Sequence, residues 1–119
     1  MRDLVKAFKA LSDETRLRML NVLLERECCV CEVMQVLDIS QTRASRNLGT
    51  LYDAGFLIMR KEGLWSHYSI DYDSVKTYCP KLVEVVNMAL EYNEEAARDR
   101  ERLAEAERIG STCEPACCD

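Results

Sequence analysis

Four stretches in the first half of the chain place apolar residues at the three- and four-residue spacing of amphipathic helices. They predict helices over residues 3–11, 14–26, 30–37 and 41–54. Only Asp38-Ile39-Ser40 separates the third from the fourth, and serine is a residue type that often precedes a helix. Two helices joined by so short a turn predict a helix-turn-helix, whose second helix enters the major groove of DNA.

The apolar spacing then changes to two residues, which is typical of strands. It predicts a strand over residues 56–60, a turn at Lys61-Glu62-Gly63 and a return strand over residues 64–70. Helical spacing resumes over residues 73–108 and predicts one long helix, kinked at Pro80 or preceded there by a short turn. The expected fold is mainly α with a small β-hairpin: a winged helix-turn-helix of order α-α-α-α-β-β-α.

The length of 119 residues is sufficient for one domain with a modest core. We expect a winged-helix DNA-binding and dimerisation domain over residues 1–108 and a flexible cysteine-rich tail over residues 109–119. The apolar faces of residues 3–11 and 81–97 are too large for a lone small domain to bury. They predict a homodimer.

The net charge of −5 is unevenly distributed and does not exclude a nucleic-acid partner. Residues 91–119 hold nine acids and four bases, whereas residues 40–70 hold four bases and two acids. No stretch approaches about 18 apolar residues, so no membrane partner is expected. The first residues include an acid and lack an apolar secretory core, so we expect a cytoplasmic protein.

The polar face of the fourth helix and the hairpin turn are the candidate contacts to double-stranded DNA. Glutamine and arginine make bidentate contacts to adenine and guanine edges, and a helix N-terminus holds phosphate. The alternative interpretation is an ordinary solvated helix face and a surface hairpin without a DNA partner. The order of the elements favours DNA binding. The candidates are Ser40, Gln41, Thr42, Arg43, Ser45, Arg46 and Asn47 on the helix, with Arg60 and Lys61 on the hairpin.

Six of the seven cysteines fall in two groups, which suits soft-metal ligation in a reducing compartment better than a disulfide scaffold. Cys79 stands alone and is expected to be packed. The one histidine, His67, lies on the predicted wing, and neither a βαβ pattern nor a Gly-rich loop supports an enzyme. The candidate metal ligands are Cys28, Cys29 and Cys31, with a second group at Cys113, Cys117 and Cys118.

Residues 10–20 (ALSDETRLRML), 40–48 (SQTRASRNL) and 51–57 (LYDAGFL), with the wing turn and Tyr68, resemble the ArsR/SmtB family of metal-sensing repressors, of the arsenical-resistance-operon type. The resemblance implies a homodimer, built from the first and last helices, that binds an inverted-repeat operator and releases it when metal binds. Many members have histidine where this chain has Asn47, a departure that bears on operator sequence.

The resemblance also assigns Cys29 and Cys31 to the Cys-Val-Cys metal box of the family. Arsenite-sensing members often add a third cysteine at the position of Met34, whose thioether cannot replace a thiolate. The third ligand therefore stays open between Cys28 and the tail cysteines. The tail could also bind an ion of its own.

An all-sulfur site favours As(III) or Sb(III) as inducer, with Cd(II) or Pb(II) as alternatives. A thiol redox or persulfide switch on the same scaffold is a further alternative. Residues i and i+2 project to different sides of a helix. Cys29 and Cys31 are therefore expected to share an ion only if the first turn of the third helix unwinds or reorients.

Overall fold

The computed structural model describes residues 1–106. The predicted tail over residues 109–119, including Cys113, Cys117 and Cys118, lies outside the described residues. No helix in residues 1–106 is both long enough and apolar enough to cross a membrane. The elements, in chain order, are α1 (Arg2–Leu11), α2 (Glu14–Glu25), β1 (Cys28–Cys29), α3 (Val30–Leu37), α4 (Gln41–Ala54), β2 (Leu57–Glu62), β3 (Trp65–Ile70), α5 (Tyr78–Leu90) and α6 (Glu94–Glu105).

The predicted helix-turn-helix is confirmed in α3 and α4. Asp38 ends α3 in the left-handed region with φ 54°, a conformation that aspartate tolerates better than most residues. The Ser40 hydroxyl oxygen then accepts a hydrogen bond from the Arg43 N–H at 3.2 Å and begins α4. The inward residues of both helices, such as Val33 and Leu48, are fully buried, so the core fixes the angle of the pair.

The wing hairpin is also present, but the predicted turn at Lys61-Glu62-Gly63 is wrong. Lys61 and Glu62 belong to β2, and Glu62 pairs with Trp65 across a two-residue turn. Gly63 begins that turn with φ 61°, a conformation that glycine adopts without a steric penalty. The strands therefore extend farther than their apolar pattern indicates, because the charged residues at the tip continue the pairing.

A third strand, β1, was not predicted. Its two cysteines pair antiparallel with β3, Cys28 opposite Tyr68 and Cys29 opposite His67, and the sheet order is β1-β3-β2. Two residues are too few to produce an alternating pattern in sequence. The short strand matters because it joins the cysteine segment directly to the wing.

The single helix predicted over residues 73–108 is wrong, since α5 and α6 divide it. Pro80 is the third residue of α5, where its missing N–H needs no helical partner. The break lies at residues 91–93, and the Asn93 side chain caps α6 by accepting from the Ala96 N–H at 2.9 Å. This break allows α6 to return and pack against α2 and α3.

A buried ion pair joins α6 to α2. The Arg18 guanidinium donates to both carboxylate oxygens of Asp99, at 2.8 and 3.0 Å, and Asp99 is 1% exposed. The hydrogen bond to Asp99 raises the pKa of Arg18. Asn21 adds a hydrogen bond to the Ala96 carbonyl at 3.1 Å. Helix α6 is thus held against the core.

Candidate DNA interface and thiol site

The N-terminal half of α4 presents a polar face away from the core. Thr42, Arg43 and Arg46 are exposed, whereas Ala44 and Leu48 on the opposite side are fully buried. Gln41 and Ser45 are half-buried at the margin of the exposed face. This is the placement that a helix needs if its side chains are to reach base edges in the major groove.

Asn47 has a supporting contact that the sequence did not indicate. Its side-chain oxygen accepts a hydrogen bond from Arg16 at 2.8 Å, and its amide donates to the Arg43 carbonyl at 2.9 Å. Arg16 also donates to the Ala10 carbonyl at 2.7 Å. Because Arg16 holds the end of α1 and the side of α4 together, Asn47 helps to set the position of the recognition helix.

The two basic residues of the wing differ in their surroundings. Lys61 is exposed on β2. Arg60 donates to both carboxylate oxygens of Glu27, at 2.6 to 3.0 Å, and to Glu62 at 3.0 Å. The hydrogen bonds to Glu27 and then Glu62 raise the pKa of Arg60. The Arg60 guanidinium is therefore bound by carboxylates of the same chain.

Cys29 and Cys31 converge at the start of α3. Their sulfur atoms are 2.9 Å apart, and the two residues are 0% and 5% exposed. Two thiolates that share an ion must lie within about twice a metal–sulfur bond of ~2.3 Å, and this pair does. The expectation that the two sulfurs can meet only if the first turn unwinds or reorients is wrong, because they meet while α3 is regular from Val30. Cys29 is the N-cap, with extended φ −86° and ψ 167°, so its side chain does not follow the helical direction.

A hydrogen-bonded network surrounds this cap. The Cys29 N–H donates a hydrogen bond to the Glu32 carboxylate at 2.9 Å, and the Cys29 sulfur accepts one from the Glu32 N–H. The other Glu32 oxygen binds Arg26 at 2.5 Å. Arg26 also donates to the carbonyls of Leu103 and Ala106 at 3.4 Å each. The network links the thiol pair to the C-terminal end of α6.

Cys28 faces away from the pair, because successive residues of a strand point to opposite sides of the sheet. Its thiol donates to the Arg26 carbonyl at 3.5 Å, and burial raises its pKa to about 12. Cys79 is buried, and its thiol donates to the Ala54 carbonyl at 3.7 Å. In the described part of the chain, no three His, Cys, Asp or Glu residues are grouped to hold a metal ion.

His67 is a core residue of the wing, 4% exposed. Its ring nitrogens lie 4.0 Å from a Glu27 oxygen and 3.6 Å from a Glu62 oxygen. These are the same carboxylates that bind Arg60. The sequence placed His67 on the wing but gave no sign of the acidic residues around it, one of which comes from the segment before β1.

The paired helices, the exposed face of α4 and the adjoining wing define a winged helix-turn-helix DNA-binding protein. Residues 13–63 match the family model described as bacterial regulatory protein, arsR family. The chain is 38% identical over 81 residues to the arsenical resistance operon repressor of Escherichia coli, covering 67% of this chain and 68% of that protein. It therefore belongs to the ArsR family, whose members are transcriptional regulators and not enzymes.

Two further likenesses agree with this family. A cadmium resistance regulatory protein CadC homolog of Staphylococcus aureus is 44% identical over 80 residues, 66% of each protein. The homodimeric winged helix-turn-helix DNA-binding domain of Mb0332 from Mycobacterium bovis is 26% identical and superposes with a TM-score of 0.65, covering 78% of this chain and 82% of that one.

Proposed function

We propose that this chain is a cytoplasmic, metalloid-responsive repressor. As a homodimer it binds an inverted-repeat operator, and it releases the DNA when As(III) or Sb(III) binds cysteine thiolates. The observation that supports this proposal most directly is the 2.9 Å distance between the Cys29 and Cys31 sulfurs. They lie at the start of the helix that precedes the recognition helix. An ion bound there sits one element away from the DNA-reading face.

The sulfur pair favours a thiophilic ion over a hard one, because thiolates select soft and borderline metals. Among such ions we place As(III) and Sb(III) first, since three thiolates complete their coordination. Relatives named for arsenical and for cadmium resistance support both this choice and Cd(II) or Pb(II) as the second candidate.

We propose that a tail cysteine of the same chain supplies the third thiolate. Arg26 holds the Ala106 carbonyl near the cap of α3, and Cys113 follows seven residues later. Seven residues span up to about 25 Å when extended, so the distance permits Cys113, Cys117 or Cys118 to reach the pair. Cys28 is the weaker candidate because its side chain points to the other face of β1.

For DNA recognition we propose that Thr42, Arg43 and Arg46 lead the contacts in the major groove. Gln41, Ser45 and the start of α4 at Ser40 would contribute at the margin. Asn47 acts mainly through its support of α4. Lys61 is the wing cation placed to meet phosphate.

Dimerisation is supported by apolar side chains left exposed on two helices. Leu4, Val5 and Phe8 on α1 are 38% to 53% exposed, and Val85 and Met88 on α5 are 58% and 67% exposed. Surfaces of this kind commonly mark protein–protein contacts. Sedimentation of the reduced protein at micromolar concentration should give the mass of a dimer, and a monomer there would contradict the proposal.

The test is an operator-release assay on the reduced full chain with arsenite, antimonite, Cd(II) and Pb(II). We expect arsenite or antimonite to act at the lowest concentration. Cys31→Ser should abolish release, while the buried Cys79→Ser serves as the matched control and should retain it. A chain truncated after Ile109 should respond with lower affinity. Release by the truncated chain equal to that of the parent would remove the tail from the site.

The same sulfur contact supports a second candidate, a thiol redox or persulfide switch. Cysteine sulfurs as close as 2.9 Å are typical of a segment where disulfides form and exchange under oxidising conditions. Hydrogen peroxide would then release the operator in a metal-free buffer, and dithiothreitol would restore binding. Release by arsenite under fully reducing conditions separates the first proposal from this one.

A further inference from the structure

We propose that Glu27 is a positioning residue that couples the thiol pair to the wing by holding Arg60. This inference rests on the proposed function, because it concerns how an ion at Cys29 and Cys31 changes DNA binding. In this proposal the effect of the bound ion reaches the DNA-binding surface through the wing, in addition to the turn that joins α3 to α4.

The contact between Glu27 and Arg60 has the geometry of a strong charge-assisted pair. Two Arg60 nitrogens reach the Glu27 carboxylate, at 2.6 and 3.0 Å, across a separation of 33 residues in sequence. Glu27 precedes β1 and lies two residues before Cys29. A planar guanidinium on a carboxylate fixes orientation as well as distance. The pair therefore ties the segment that carries the thiols to the middle of β2.

The strand register reinforces this tie. His67 of β3 is the register partner of Cys29 on one side and of Arg60 on the other. The three residues thus form one row across the sheet, and Glu27 connects the two ends of that row. A displacement of Cys29 on ion binding acts on the position of Arg60 through the strands and through the carboxylate together.

Coupling needs an element whose position both sites influence. The wing meets this condition because its tip is the proposed DNA contact, while the thiol segment pairs with the middle of the same hairpin. Without Glu27 the ion still binds, but its effect on the wing passes through the two-residue strand alone. Glu27→Gln should therefore separate ion binding from DNA release.

The matched control is Glu62→Gln. Glu62 also binds Arg60, at 3.0 Å, and its replacement removes one negative charge from the same region. It lies on β2, however, the same strand as Arg60, and therefore does not tie Arg60 to the segment before β1. Any effect that comes only from altered charge near DNA appears equally in both variants.

The experiment measures operator dissociation constants with and without arsenite at fixed salt for the parent, Glu27→Gln and Glu62→Gln. Arsenite affinity without DNA is followed by the ultraviolet absorption of arsenic–thiolate bonds. We expect unchanged arsenite affinity in all three proteins. The ratio of the two dissociation constants should fall about fivefold or more in Glu27→Gln and stay near the parental value in Glu62→Gln.

An unchanged ratio in Glu27→Gln overturns the inference, and so does an equal fall in both variants, which would assign the effect to charge. A parent that binds no arsenite, or binds it without releasing the operator, overturns the proposed function and this inference with it. A parent that responds while Glu27→Gln responds equally well overturns the inference alone.

Discussion

The two helices of the helix-turn-helix begin in the same way and in opposite surroundings. At α3 the Cys29 side chain accepts the N–H of Glu32, and at α4 the Ser40 side chain accepts the N–H of Arg43. Cys29 is fully buried, while Ser40 is exposed. The same capping geometry therefore occurs once inside the protein and once on its surface.

The function of a helix start therefore depends on what surrounds its cap. The start of α3 is bound by Glu32 and Arg26 and has a second sulfur beside it, so it is suited to hold an ion. The start of α4 lies on the surface, where a helix N-terminus is placed to face a phosphate. Substitutions at the two starts should accordingly have different costs and different consequences.

The largest effect is expected at Glu32, which is 5% exposed. Glu32→Ala leaves the Cys29 N–H and Arg26 without their carboxylate, and it should lower the free energy of unfolding by about 2–3 kcal/mol. Urea unfolding of the reduced protein measures this loss. Glu25→Ala, an exposed site on the last turn of α2, is the control and should change stability by less than about 0.5 kcal/mol. A loss below about 1 kcal/mol at Glu32 would contradict the importance of the buried network.

At Cys29 we expect a substitution to affect the arsenite response but to leave stability almost unchanged. Serine is a good N-cap, so Cys29→Ser should keep the free energy of unfolding within about 1 kcal/mol of the parent. The substitution should nevertheless abolish the effect of arsenite on operator affinity, a coupling of about 2 kcal/mol. Urea unfolding and operator titration, with and without arsenite, measure the two quantities. If Cys29→Ser unfolded the protein, the sulfur would be needed for the fold and the comparison with Ser40 would fail.

On the exposed helix, Arg46→Ala should weaken operator binding by about 1–2 kcal/mol if the guanidinium reads a base edge. Fluorescence anisotropy with specific and scrambled duplexes measures the change, which should be larger for the specific one. Arg98→Ala on α6 is a control that removes an exposed arginine outside the proposed interface. Equal losses on both duplexes would reassign Arg46 to phosphate.

The smallest effect is expected at Ser40. Ser40→Ala removes an exposed cap and should reduce the free energy of unfolding by about 1 kcal/mol, which is smaller than the loss at Glu32. The arsenite response, expressed as the ratio of operator affinities, should be unchanged. Thermal unfolding and the release assay test both statements, and an altered ratio would show that the exposed cap takes part in coupling.

The sequence predicts most of the fold because the signals involved are local. The apolar spacing places the first four helices to within a residue or so, and the Cys-Val-Cys resemblance identifies the two cysteines that converge. The break at Asn93 was missed although an asparagine followed by two acids is a recognisable helix start. The continuous helical spacing over residues 73–108 favoured one helix, although Asn93 carries the signal of a new helix start.

The remaining features depend on contacts that are distant in sequence. The pairing of β1 with β3 and the binding of Arg60 by Glu27 join segments more than 30 residues apart. Neither leaves a periodic pattern at its own position. The error about Cys29 has a different origin, because it applied the side-chain directions of a helix to a residue that precedes the predicted helix and has an extended backbone.

The return of α6 onto α2 has a consequence for the order in which the protein forms. Arg18 meets Asp99 and Arg26 meets Ala106 across about 80 residues of chain. Contacts of such long range close late, and synthesis delivers the N-terminal part first. On the ribosome the helix-turn-helix segment therefore emerges with both cysteines accessible well before the helix that completes their surroundings. Thiol-alkylation of stalled nascent chains should show this interval, as labelling of Cys29 that falls once residue 106 has left the exit tunnel.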